Sequence, residues 1–149
     1  VVCSPMQRCT QTAELIYPKV PCILCEGLKE CNFGLFEGKT YEDLKETPDY
    51  QCFLEQNGEG DIPGGENSLD FRKRCCQAFL EMIPRTLQTT AVISHGGVIM
   101  ALLSGLSEHP LGFYEYQLPN CAGFTAIFDT ESYRFTDCHR MELSDNSDR

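Results

Sequence analysis

Positive charge is scarce in this chain: twelve Lys and Arg stand against twenty-two Asp and Glu, a formal net charge of −10 over 149 residues. A polyphosphate backbone is repelled by such a surface, so no nucleic-acid partner is expected, although a local pocket for one small anion is not excluded. Long apolar runs are missing too. The longest, Ala91–Leu106, is broken by Ser94, His95, glycines and Ser104, and falls short of the ~20 residues that span a bilayer. No membrane partner is expected. No secretory signal opens the chain, and its ten cysteines, about 7% of the residues, follow no repeated spacing. They read as free thiols of a reducing, cytoplasmic compartment. Gly-x-Ser-x-Gly does not occur, so the serine-hydrolase elbow is absent. An initiator Met is also absent. Val1-Val2-Cys3 reads as the end of a strand, so the chain looks like the remainder of something longer.

What is present fits one α/β domain covering 1–149, with ordinary hydrophobic (42%) and charged (23%) fractions. After Val1–Cys3, Ser4-Pro5 predicts a helix start with Ser at the N-cap, and the helix runs to about Ile16. Pro21–Glu26 predicts a short strand. Thr40-Tyr41-Glu42-Asp43 predicts a capping box opening a short helix. Gln56–Asn67, rich in Gly, Asp and Glu, predicts a lid or site loop. Ser68 is expected to cap a helix to Ile83, whose apolar stripe has a 3.6-residue period. Thr89–Ser94 reads as a strand, Gly97–Ser104 as a helix stopped by Gly105. Gly123–Asp129 and Ser132–Cys138 read as a closing hairpin, and the tail after Met141 as polar and frayed. Alternating strands and helices imply a layered, mostly parallel sheet.

Several motifs have blander readings. Gly34–Thr40 imitates a phosphate-binding loop, but it is one residue short and follows no hydrophobic strand. Cys22 and Cys25 lie in a predicted strand, where they face opposite sides, and no second pair completes a zinc site. They read as small hydrophobes. Ser94-His95-Gly96-Gly97 is more informative. It follows a β run and precedes a helical one, so His95 sits at the C-terminal edge of the sheet, where α/β folds place ligands. Its two glycines admit a ligand to the backbone, and a helix start offers N–H donors to an anion. Arg8 occupies the first turn after the opening strand, from which a guanidinium can fork onto a phosphate. Glu30 and Glu37 flank Phe33-Gly34 in a segment without period and are candidate site acids.

Four blocks, Ser4-Pro5-x-x-Arg8-x-x-Gln11-Thr12-Ala13, Leu28-x-Glu30-x-x-Phe33-Gly34-x-x-Glu37-Gly38, Pro63-Gly64-Gly65-Glu66-Asn67-Ser68 and Ser94-His95-Gly96-Gly97-Val98, occur in this order. Together they resemble the histidine phosphatase superfamily, the phosphoglycerate mutase-like fold. Leu118-Pro119-Asn120-Cys121 and the closing strands fit that family's end. The resemblance implies a three-layer sandwich with helices on both faces of the sheet. It also implies that the family's opening strand–helix unit, whose strand ends in Arg-His-Gly and carries the nucleophilic histidine, is missing here. By the same resemblance, Arg8 clamps phosphate, Glu30 protonates the leaving oxygen, and His95 lies over the transferring phosphoryl, with Gly96 at the phosphate. Glu37, Ser4 and Asn120 are supporting residues. The implied chemistry is a two-step transfer through a phosphohistidine, without cofactor or metal. A small phosphorylated metabolite is the expected partner, with homo-oligomerisation open. Phe33–Gly38 looks like the phosphatase branch, including phosphatases acting on α-ribazole phosphate. Mutase-type transfer, or a non-catalytic binding module should Val1 be the true start, are the alternatives.

Overall fold

A computed structural model describes residues 1–83 and 89–141. The expected tail after Met141 lies outside the described residues. Three very short strands, β1 (Val2–Cys3), β2 (Ile23–Leu24) and β3 (Val92–Ile93), form a parallel sheet in the order β2-β1-β3. Val2 pairs with Ile23 on one side and Val92 on the other. Helix α1 (Gln7–Ile16) follows β1 and covers one face, where Cys3, Cys9 and Ala13 form a small cluster with Val1 and Ile93. The other face carries the main core. Helix α4 (Ser68–Met82) contributes Phe71, Cys75 and Phe79, and helix α5 (Gly96–Leu106) contributes Val98, Ala101, Leu102 and Leu106. Burying one such Phe or Leu contributes about 1.5–3 kcal/mol. Helices therefore lie on both faces of a parallel sheet, as expected.

Two small helices, α2 (Tyr41–Leu44) and α3 (Pro48–Glu55), connect the halves. Thr40 opens α2 with the expected capping box, its N–H donating to Asp43 Oδ2 at 2.8 Å. The last two strands, β4 (Phe124–Asp129) and β5 (Arg134–Arg140), form a separate antiparallel pair. Phe128 and Phe135 bring this hairpin onto the same core through Phe79.

Some boundaries differ from the sequence expectation. Met6, not Ser4, is the N-cap of α1 and it makes no side-chain cap bond, because the Ser4 hydroxyl is turned inward. Asn67, not Ser68, caps α4, its Oδ1 accepting from the N–H groups of Leu69 and Asp70. Gly105 does not stop α5, which continues to Leu106. A Cβ there would stand 2.6 Å from Cys76 Sγ, so this glycine serves the close approach of α4 rather than a turn. The loop 56–67 is no free lid over 60–66: Ile62 is buried, the Pro63 carbonyl accepts from Leu35 N–H, and Glu66 N–H donates to the Asn32 carbonyl. The phosphate-loop lookalike folds as a 3₁₀ turn at Gly34–Phe36. Gly34 has φ +49° and packs on the backbone of Pro63–Gly65, where no Cβ fits.

Candidate active site

Strands β1 and β3 run parallel and end side by side, Ser4 N–H donating to the Ile93 carbonyl at 2.9 Å. From this shared edge the chain turns twice into a helix, once into α1 and once into α5. That brings Arg8 and His95, 87 positions apart, into direct contact, with Arg8 Nε donating to His95 Nδ1 at 3.1 Å. A guanidinium only donates, so Nδ1 is the acceptor and the ring proton sits on Nε2. Nε2–H in turn donates to Ser4 Oγ at 2.8 Å. Ser4 is fully buried and His95 nearly so, while Arg8 is exposed. Cys9 Sγ closes the back of the ring, 3.5 Å from Nε2 and 3.7 Å from Nδ1.

Burial, and then the Arg8 cation, push the His95 imidazolium down from 6.5 to about 4. His95 is therefore neutral at pH 7. A folded pKa below the unfolded one means that the unfolded chain binds the proton first as pH falls. His95 thus stabilises the fold fully above pH 6.5, and loses that contribution, at most about 3 kcal/mol, as pH falls toward 4. Urea unfolding of the wild type and of His95→Gln between pH 4.5 and 7 should show a steeper loss for the wild type. Parallel lines for the two would contradict it.

Glu30 reaches the same corner from another segment. Its Oε1 accepts from its neighbour Cys31 N–H at 3.1 Å, and its Oε2 from Gly97 N–H at 3.3 Å, in the first turn of α5. Ser94 Oγ donates to the Leu28 carbonyl at 2.8 Å and so ties the Glu30 segment to the strand that carries His95. A Cβ on Gly97 would collide with the Glu30 carboxylate and crowd Phe71, whereas Gly96 is exposed and faces open space. The structure thus gathers Arg8, His95, Ser4, Glu30 and Gly96. It does not bring Glu37 or Asn120 to them. Glu37 is exposed and its Oε1 accepts from Phe33 N–H at 2.9 Å, supporting the 33–37 turn. Asn120 is exposed before β4 and makes no bond to the group. Sequence reasoning missed Cys9, the tie that Ser94 makes to Leu28, and the part of Gly97 that faces Glu30 rather than a ligand. The signal for Cys9 and Gly97 was adjacency to Arg8 and to Gly96; nothing local marks Ser94 as the tie to Leu28.

A cation, a neutral imidazole, the N-terminus of an eleven-residue helix and a carboxylate converge at the edge of a parallel sheet. Such a set has the chemistry that binding an anion and moving a proton beside it require, the equipment of phosphoryl transfer. Sequence comparison agrees: the profile of the Histidine phosphatase superfamily (branch 1) matches residues 1–139, and the chain belongs to that family. It is 32% identical over 112 residues to 6-phosphofructo-2-kinase/fructose-2,6-bisphosphatase of Arabidopsis thaliana, a match covering 72% of this chain. That match takes in only 14% of the relative, so this chain spans a small part of its length. Among solved structures, phosphoglycerate mutase from Thermus thermophilus is 28% identical with a TM-score of 0.65, covering 95% of this chain and 72% of that one. The alpha-ribazole phosphatase from Shigella flexneri shares the fold at a TM-score of 0.76 and 20% identity, covering 87% and 67%.

Proposed function

We propose that this chain carries most of the site of a cytoplasmic phosphomonoester hydrolase, working through a phosphohistidine on a small phosphorylated metabolite. The observation behind this reading is the Arg8–His95–Ser4 contact beside Glu30 and the open backbone of Gly96. In the proposed reaction, Arg8 exchanges His95 Nδ1 for an oxygen of the phosphoryl group, the freed Nδ1 takes the proton of the bound phosphate monoanion, and charge on the equatorial oxygens is carried by Arg8 and the new His95 Nδ1–H. A histidine attacks phosphorus in line, the P–O bond to the leaving group breaks, and Glu30 gives that oxygen a proton. Glu30 then takes a proton from the water that attacks the phosphohistidine. Inorganic phosphate leaves and the histidine is restored.

His95 is not the attacking group in this reading. In the free chain Nδ1 accepts from Arg8 and Nε2 is held on Ser4; with substrate bound, Nε2 stays on buried Ser4 and the released Nδ1 carries the proton, so neither nitrogen offers a lone pair. His109 and His139 are exposed, and His139 pairs with Asp137 in β5. The nucleophile is assigned to an Arg-His-Gly strand outside these 149 residues. The break in the sheet favours this assignment. β3 ends the parallel sheet and β4 begins a separate one, yet Val92 and Phe128 border one core. The far side of β5 is already met by the Ser107 bridge, which leaves the outer edge of β4 unpaired among the described residues. In this reading the Arg-His-Gly strand takes the place between β3 and β4 and joins the two sheets. Hydrolysis is favoured over mutase transfer because the 56–67 loop is fastened to 32–35 rather than folded over exposed Gly96.

The reading is tested by incubating the chain, extended upstream by a strand–helix unit bearing Arg-His-Gly, with p-nitrophenyl phosphate, quenching in base and locating the bound phosphoryl group. An acid-labile, base-stable label on the upstream histidine is expected. A label on His95, or an acid-stable ester, would overturn it. Gly97→Ala supplies a narrower check. The added methyl displaces the flexible Glu30 carboxylate more readily than backbone. kcat should therefore fall with little change in melting temperature, and inhibition by inorganic phosphate, which Arg8 and His95 bind, should be unchanged. Equal losses of kcat and phosphate affinity would refute this.

A further inference from the structure

Arg74 stands in the middle of α4 and Glu66 just before its start, and neither takes part in the chemistry described above. Arg74 Nε donates to Glu66 Oε1 and Nη2 to Glu66 Oε2, both at 2.8 Å, the parallel fork of a bidentate pair. The two side chains are only 31% and 23% exposed. The bonds from Arg74 hold the Glu66 carboxyl below its ordinary value, so the pair is ionised at neutral pH. The remaining nitrogen, Nη1, crosses to the segment that carries Glu30. It donates to the Gly27 carbonyl at 2.8 Å and to the Lys29 carbonyl at 3.3 Å. A Cβ on Gly27 would collide with Ala78 of α4, so a glycine lets this segment lie close enough to be reached. Glu66 holds the other end of the same segment, its N–H donating to the Asn32 carbonyl at 2.9 Å. The pair thus grips the backbone immediately before Glu30 and two residues after it. Arg74 also lies over the Phe71 ring, 5.2 Å from its centroid, and Phe71 borders Gly97, whose N–H binds Glu30 Oε2.

We propose that the Glu66–Arg74 pair is a clamp that positions Glu30, setting its carboxylate on the N–H groups of Cys31 and Gly97 for proton transfer. What Glu30 does there rests on the phosphoryl-transfer reading; where its carboxylate is held rests on the contacts alone. The carboxylate's own restraints are two backbone bonds of 3.1 and 3.3 Å. Both depend on where the 27–32 backbone lies against α5. That backbone is fixed by Ser94 on the Leu28 carbonyl, by Arg74 on the Gly27 and Lys29 carbonyls, and by Glu66 on the Asn32 carbonyl. The Arg74 bonds are charge-assisted and so about twice as strong as the neutral ones. Releasing them frees the carboxylate to drift from Gly97. The Arg8–His95–Ser4 contact involves neither residue of the pair, so phosphate binding is independent of the clamp.

The experiment uses the chain extended upstream by a strand–helix unit bearing Arg-His-Gly, with Arg74→Lys and with the double variant Arg74→Met/Glu66→Gln. The first keeps the charge and loses the fork. The second removes both charges together, so no lone charge is left half-buried. The Gly97 amide proton is the direct reporter, because its bond to a carboxylate shifts its resonance downfield, and Glu30→Ala marks the position without that bond. In both Arg74 variants the signal should move toward that mark while the amides of 98–106 stay in place. With alkyl phosphates kcat should fall by up to about 10²-fold, the cost of misplacing a catalytic group by about 1 Å. The loss should be smaller with p-nitrophenyl phosphate and absent in a Glu30→Gln background, and inhibition by inorganic phosphate should not change. A Gly97 amide at its wild-type position in both variants would overturn the proposal. So would a loss that is equal for all leaving groups and adds in full to that of Glu30→Gln. Should Glu30→Gln itself leave turnover unchanged, the acid assignment fails, and the amide shift still decides whether the clamp holds the carboxylate.

Discussion

Glu30→Gln, in a chain extended by an Arg-His-Gly segment, is expected to lower the turnover of alkyl phosphates by about 10²–10⁴-fold. The carboxylate is held by two backbone N–H groups from different elements, Cys31 and Gly97, and so stands at the mouth of α5 beside Gly96. A carboxamide occupies the same volume but has no proton to give an alkoxide and takes none from water. The loss should shrink for p-nitrophenyl phosphate, whose leaving group departs without protonation. Glu37→Gln is the control. Its carboxylate is exposed and serves the Phe33 N–H of its own turn, so a small loss in both substrates is expected. Equal, leaving-group-independent losses for the two variants would show that the acid was assigned to the wrong carboxylate. Steady-state kcat with a series of leaving groups is the measurement that decides.

The sequence made the element order readable because its punctuation is strong. Pro18 and Pro21 close α1, the Thr40–Asp43 box opens α2, and Phe71, Cys75 and Phe79 recur every four residues along α4. Local chemistry misled where tertiary partners competed for the same group. Ser4 has the composition of an N-cap, but burial against His95 Nε2 claims its hydroxyl. Gly105 has the look of a helix stop, but Cys76 of α4 needs the space. Strand lengths were overread for another reason: an apolar β-branched run such as Thr89–Ser94 marks burial, whereas pairing depends on a neighbour, and β3 pairs only at Val92 and Ile93. That Arg8 and His95 serve one site was legible, because each follows the C-terminal end of a strand in one sheet; the direct pairing of β1 with β3 was not. The tautomer of His95 was not, since it depends on Arg8 Nε donating from 87 positions away.

The 149 residues expressed alone should hydrolyse no p-nitrophenyl phosphate and should self-associate. Activity fails because His95, the only histidine at the site, is neutral, bonded at both nitrogens and placed to stabilise charge rather than to accept a phosphoryl group. Association follows from the interrupted sheet. The outer edge of β3, with Val92 and Ile93 half-buried, and the outer edge of β4 both present unpaired backbone groups to a pairing partner. Where such groups are shielded from water they cost about 1–3 kcal/mol each, set against a total domain stability of about 5–15 kcal/mol. Low, broad thermal unfolding is therefore expected, with light scattering above the monomer mass. Adding an upstream strand–helix unit whose strand ends in Arg-His-Gly should restore a monomer, sharpen the transition and bring activity. Its His→Ala version should restore the first two and not the third, because the strand fills the slot whether or not it carries the nucleophile. A cooperative, monomeric and active 149-residue chain would instead place the nucleophile among the residues described here.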